Sequence, residues 1–311
     1  TNFPYLDPLL LGSPTQNIPN TLYGTIDEHE LKDSRTEKSL TPSLTLSYQL
    51  NKDAMVYAKG AQGFKSGGFD ARSNLGGNFE FEEEEVISFE LGSKLTLDEG
   101  AAELNIALFH MSFDDLQTSI FDGQVGFNVK NAGEATTIGL EIDGRWAVAD
   151  EITLVGGLGL LDFEWDDFRG AKCFTSNIEV SENIDETGKS CDLTGETNAL
   201  VSDVTANIGI EHATFVFDDY ELITNLDVNY RSDYYTSTDL NPFTKQDAFA
   251  KVNLRVALSY EESWEVALVG KNLTDEITRN FTFDLPFTKG GYANMVEPGR
   301  SVGVQFRYHF Y

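Results

Sequence analysis

SVGVQFRYHFY, residues 301–311, changes character at every step as far as Phe310. Val302, Val304, Phe306, Tyr308 and Phe310 are apolar or aromatic, and Ser301, Gly303, Gln305, Arg307 and His309 stand between them. Successive side chains of a strand point to opposite faces, so this segment has one apolar face and one polar, charged face. The fold depends on what the apolar face meets: a protein interior, or the hydrocarbon of a membrane.

The same alternation runs upstream. Leu44, Leu46, Tyr48 and Leu50 oppose Ser43, Thr45, Ser47 and Gln49; Ile87, Phe89, Leu91 and Leu95 oppose Ser88, Glu90 and Lys94. Leu140, Ile142 and Trp146 oppose Glu141, Asp143 and Arg145; Val252, Leu254, Val256 and Leu258 oppose Lys251, Asn253 and Arg255. Residues 1–38 are irregular and proline-bearing and read as a loop segment; residues 39–311 read as about eleven strands with no helical period.

Composition narrows the classes. No apolar run approaches the ~20 residues of a spanning helix, but barrel strands alternate and never produce such a run. The 311 residues hold 51 acidic against 22 basic side chains, a formal charge of −29. That balance argues against a nucleic-acid partner, which demands the opposite sign. It fits solubility, a saline habitat, or a lipopolysaccharide layer bridged by divalent cations. The chain begins at Thr1 without Met or signal peptide and reads as a mature product, a fragment, or part of something longer.

Three features favour a transmembrane barrel over a soluble sandwich. Turns alternate between short ones and long acidic loops, the asymmetry of outer-membrane barrels. Aromatics cluster near strand ends (Tyr48, Trp146, Tyr220, Tyr230, Tyr260, Trp264, Tyr308, Phe310), where a membrane interface favours amphipathic rings. The strands exceed the five or six residues usual in soluble sheets, roughly what a tilted strand needs to cross ~30 Å of hydrocarbon. An odd number of hairpin-linked strands closes only through a parallel seam, so the chain reads as the second half of a barrel.

Cys173 and Cys191 flank a polar stretch without zinc-type spacing. A disulfide closing that loop in an oxidising compartment is the favoured reading, with two free thiols as the alternative.

Five segments, in order, resemble the barrel of TonB-dependent outer-membrane receptors: VYAKGAQGFKSGGFDAR (56–72), EEVISFELGSK (84–94), VKNAGEATTIGLEIDGRW (129–146), VALVGKNLTDE (266–276) and EPGRSVGVQFRYHF (297–310). Phe89 and Glu83 stand where the family usually has Tyr and Pro, and Tyr311 follows the usual terminal Phe. The resemblance implies the C-terminal half of an antiparallel barrel of about 22 strands, with short periplasmic turns and long extracellular loops. It implies an outer-membrane transporter that takes up a scarce bulky nutrient; the lack of catalytic motifs separately argues against an enzyme. A ferric siderophore is the leading ligand class, with oligosaccharide or cobalamin behind. It also implies a plug domain and a TonB box, neither of which is visible in these residues, and partners in TonB, outer-membrane lipid and lipopolysaccharide. A surface binding or scaffold protein without transport is the alternative.

The polar faces supply a mixed-charge lining: Glu90, Lys94, Glu141, Asp143, Arg145, Glu211, Asp227, Arg231, Lys251, Arg255, Lys271 and Arg307. Ligand capture falls to the long loops, through Phe69, Arg72, Phe79 and Phe81, Tyr234 and Tyr235, and Phe281, Phe283, Phe287 and Tyr292. Aromatic rings stack on catecholates or sugars and Arg clamps anions, although such rings also pack loops together. Asp162, Glu164, Asp166 and Asp167 could hold structural Ca2+ but lack EF-hand spacing, which favours an acidic rim; no other metal or cofactor is expected. Catalytic motifs are wanting: His29, His110, His212 and His309 lie far apart, with no GxSxG or Walker sequence.

Overall fold

The computed structural model describes residues 33–70, 79–121, 127–174, 190–217, 219–261, 263–285, 288 and 290–310. Eleven strands form one antiparallel sheet in chain order. They are β1 (Ser43–Asn51), β2 (Ala54–Lys65), β3 (Glu84–Leu97), β4 (Ala102–Asp114), β5 (Glu134–Ala149), β6 (Ile152–Asp167), β7 (Val204–Phe217), β8 (Tyr220–Arg231), β9 (Phe249–Tyr260), β10 (Trp264–Lys271) and β11 (Ser301–Tyr308). Each pairs with its sequence neighbours, and β1 and β11 form the two edges. Connections at one rim are short (residues 52–53, 98–101, 150–151, 218–219, 261–263), and those at the other are long (66–83, 115–133, 168–203, 232–248, 272–300).

Register aligns the alternation of every strand into two faces. Leu46, Ala58, Leu91, Leu108, Leu140, Leu160 and Val204 lie side by side across β1 to β7. On the opposite face Lys94, Asn105, Asp143, Gly157, Asn207, Asn229 and Lys251 form the matching row across β3 to β9. That polar face is internally bonded. Glu265 lies 2.6 Å from Arg255 and 3.8 Å from Arg307, while Asn253 donates to Asp227 at 2.7 Å. The lining charges expected from sequence all fall on this face.

The apolar face is uncovered. Leu46 is 66% exposed, Leu108 50% and Val304 75%. Among the described residues the remaining sheets are two-stranded ribbons within the long loops, so no second sheet packs against it. A sandwich would bury these side chains. In water so large an apolar surface would drive association; against hydrocarbon it is at equilibrium.

The ends of the strands mark the depth of that solvent. At the short-turn rim Tyr220, Tyr260, Trp264 and Tyr308 are aligned by register, with Tyr220–Tyr260 and Tyr260–Trp264 centroids 5.0 and 5.9 Å apart. Phe217 joins them through a bulge between Phe215 and Phe217 that turns its ring to the same face, 6.0 Å from Tyr220. At the long-loop rim polarity reverses. β5 and β6 are each 16 residues long, more than the ~9–11 a tilted strand needs to cross a bilayer. Past Leu160 the outer face carries Asp162 and Glu164, opposite Ile138 and Thr136. The inner face carries Phe163 and Trp165, and Trp165 is buried against Ala135, Phe168, Ala171, Leu193 and Leu240. This hairpin rises beyond the hydrocarbon and builds a small core of its own.

Candidate functional site

The long loops are organised by bonds between them. In loop 66–83, Phe69 and Phe79 lie 5.5 Å apart, and the ring of Phe81 covers Gly68. Buried Asp70 accepts from Val129 N at 2.7 Å, which ties this loop to the 117–131 ribbon. Asn131 locks the same junction, donating to Glu82 O (3.0 Å) and Asp115 O (2.8 Å) and accepting from Glu82 N (2.8 Å). Gly133 next to it has φ 146°, and a Cβ there would overlap Asp167 O, so only glycine serves. Ahead of β1, Arg35 pairs with Glu37, Glu80 and Glu82; its guanidinium holds the Glu82 carboxyl below the usual range.

Cys173 and Cys191 are joined in a disulfide, with Cα atoms 5.1 Å apart. The bridge fixes Lys172, whose ammonium lies 3.4 Å from Asp239 and also pairs with Asp284. The Asp239 side chain is fully buried and accepts from Ser237 and, at 3.4 Å, from Asn241 N. One cation thus links loops 168–203, 232–248 and 272–300. In the second of these, Lys245 lies 2.6 Å from Asp233 and depresses its pKa through that bond. In the third, a bond from Lys251 depresses the pKa of Glu297.

The aromatic candidates separate into two kinds. Tyr234 is 3% exposed, donates its hydroxyl to Arg279 O at 2.8 Å and lies 3.8 Å beneath the Arg231 guanidinium; burial raises its pKa. Tyr235 packs against the Trp165 core with Lys245 5.4 Å from its ring. Both hold loops together. Phe69, Phe79 and Phe81 are half-buried in ribbon packing.

The last ribbon, Arg279–Asp284 with Tyr292–Val296, behaves differently. Its inner face is anchored by polar bonds. Buried Thr282 lies 2.6 Å from the Thr236 hydroxyl and 2.6 Å from Asn294 Oδ1. Its other face presents Phe281 and Phe283, 36% and 38% exposed, with ring centroids 6.4 Å apart and stacked at 27°. Tyr292 is exposed beside Asp284 at the ribbon tip. Arg72 and Phe287 lie outside the described residues.

The carboxylates of 162–167 are strung along a strand rather than gathered. Thr136 donates to Asp166 at 2.6 Å and Arg169 pairs with Asp167 at 3.1 Å. Among the described residues no three His, Cys, Asp or Glu side chains converge as metal ligands. Sequence reasoning missed Lys172 and Asp239. The one signal was a lysine next to a cysteine in an acidic loop.

Comparison with known proteins matches this architecture. Residues 16–273 match the family described as TonB dependent receptor-like, beta-barrel. A metal-pseudopaline receptor of Pseudomonas aeruginosa is 26% identical over 43% of the chain and 18% of its own length. A pesticin receptor of Yersinia enterocolitica is 32% identical over 34% of the chain and 16% of its own length. The solved ferric yersiniabactin uptake receptor of Yersinia pestis superposes with a TM-score of 0.67 at 20% identity, covering 86% of this chain and 37% of the receptor. The chain therefore spans well under half the length of these proteins, each of which is a receptor. An apolar face open to lipid, an aromatic rim, ribbon-bearing loops on one side only and the matched family model lead to one conclusion: the chain belongs to the TonB-dependent receptor β-barrel family, whose strands cross the outer membrane.

Proposed function

We propose that this chain is the C-terminal half-barrel, residues 39–311, of an outer-membrane receptor that imports a ferric siderophore, with a plug domain and TonB completing and energising it. The observation that carries the reading is the Phe281–Phe283 pair: two stacked, half-open rings on a ribbon whose back is clamped by Thr236, Thr282 and Asn294. Rigid aromatic surface held over a barrel rim suits capture of a flat chelate. The names of the relatives, receptors for metal chelates among them, support the same ligand class.

The polar face of β3 to β11 is suited to dock the plug, and the acidic outer face above Leu160 to sit among lipopolysaccharide headgroups bridged by divalent cations. The test is binding of ferric catecholate, phenolate and hydroxamate chelates to the intact receptor, with Phe281→Ala and Phe283→Ala alongside. Binding of one class that weakens in both variants supports the reading. Binding of an oligosaccharide or a cobalamin, with no chelate bound, overturns it.

A further inference from the structure

Near the short-turn rim the lipid-facing surface is not smooth. Gly144 of β5 and Gly156 of β6 are directly paired, and the same row continues to Leu104 on one side and Ile208 on the other. Trp146 and Leu154 bound the pair toward the turns, and Ile142 and Leu158 bound it toward the membrane centre. The missing side chains leave an apolar depression of about 620 Å3 that reaches Asp98 at its turn end. The Trp146 indole donates to Asp98 Oδ2 at 2.9 Å, so this carboxylate is held at the depth of the aromatic rim.

Arg145 also borders the depression, but its guanidinium lies 3.4 Å from Glu211 on the polar face, so the charge at the mouth comes from the turns. The two turns that flank it carry Asp98, Glu99, Asp150 and Glu151 and no cation. Of these Glu151 is engaged by the Thr214 hydroxyl at 2.6 Å. Hydrocarbon fills any depression on this face, but carboxylates at its polar end select what the hydrocarbon is attached to. An anionic headgroup would be repelled and a primary ammonium would be paired.

We propose that this groove is a lipid site: it seats one acyl chain of a zwitterionic phospholipid whose ammonium headgroup meets Asp98. It is independent of the ligand assigned to the loops, because it opens to the membrane at the opposite rim.

The intact receptor, purified in mild detergent and offered phosphatidylethanolamine or phosphatidylglycerol of equal chain length, is read by native mass spectrometry. The wild-type protein is expected to retain one phosphatidylethanolamine under conditions that strip phosphatidylglycerol. Gly156→Leu, which fills the groove, is expected to lower retention about tenfold, whereas Ala58→Leu, on the same face but distant, leaves it unchanged. Asp98→Asn is expected to keep a lipid adduct while losing the preference between headgroups. Gly156→Ala, whose added Cβ meets nothing nearer than Asn207 O at 3.4 Å, supplies a partial filling should the leucine variant fail to fold. Equal retention of both lipids by the wild-type protein overturns the proposal, as do unchanged retention in the filled variants or a receptor dimer that Gly156→Leu dissociates.

Discussion

The ring of Tyr57 occupies the space that a side chain at Gly92 would need: a Cβ placed there would stand 2.4 Å from the Tyr57 ring. The two are cross-strand partners on the polar face, and the phenol continues past the glycine to donate to Glu90 at 2.5 Å. Gly92→Val is therefore expected to displace the ring, break its bond to Glu90 and destabilise the barrel by about 1–3 kcal/mol. Tyr57→Phe keeps the packing and loses the bond alone, about 1 kcal/mol. Urea unfolding of the receptor in micelles measures both; equal stability of Gly92→Val and wild type would refute the packing argument.

The two faces of one strand make a paired test of which side meets lipid. Ile106, aligned with Ile142 and Ser93, lies on the apolar face, and its neighbour Asn105 lies on the polar face against Asp143. Ile106→Arg is expected to cost about 2–4 kcal/mol and to lower the yield of folded receptor in membranes. Asn105→Lys, beside a carboxylate, is expected to be close to neutral. A reversed order would place lipid on the wrong face.

Lys172 joins three loops from the position next to the Cys173–Cys191 bridge, and the bridge is expected to hold its segment there. Replacing both cysteines by Ser removes about 3 kcal/mol of loop-closure constraint in the chain-entropy account. Faster amide exchange is expected at residues 168–173 and 190–199 and around Asp239, with β7 to β10 unchanged. Lys172→Met should reproduce the effect around Asp239 while leaving the bridge intact.

Acid should loosen the loops before the barrel. Lys245 depresses the Asp233 carboxyl, so the pair contributes stability above the unfolded carboxylate value, and that contribution is lost as pH falls through the lower folded value. Lys251 acts on Glu297 in the same sense. Exchange protection of residues 233–246 should therefore fall at a pH below the usual carboxylate range, and Asp233→Asn should abolish that dependence. The pair is half exposed, so high salt should weaken the effect.

Phe281→Ala and Phe283→Ala should each weaken ferric chelate binding by about tenfold, near 1.4 kcal/mol, without changing the folded yield. Thr282→Val, which unclamps the ribbon from Thr236, should weaken binding with both rings in place. Amide exchange of the ribbon distinguishes the two effects: loss of the clamp speeds exchange at residues 279–284 and 292–296, and loss of a ring does not.

Much of this architecture was legible because a strand's period of two converts sequence directly into faces. Val302 to Tyr308, Leu140 to Trp146 and Val252 to Leu258 could be assigned without coordinates, and so could the lining charges opposite them. Register was not legible. That Gly144 meets Gly156, or that Thr282 meets Thr236, follows from pairing between segments distant in sequence. Tyr234 and Phe281 look alike in a loop, and only packing separates the buried anchor from the open ring. Phe217 was hidden for another reason: a bulge shifts its face by one residue, which a strict alternation assigns to the lumen.

The change of polarity between Leu160 and Asp162 fixes how high the receptor rides in its bilayer. Sinking by two residues, ~7 Å along the strand, would drag Asp162 and Glu164 into hydrocarbon. Rising by as much would lift Trp146 and Tyr260 off the opposite interface. The two limits act on different leaflets, so the barrel is held against vertical drift from both sides. A force along the barrel axis, such as the pull on the proposed plug domain, would then meet a wall that resists displacement.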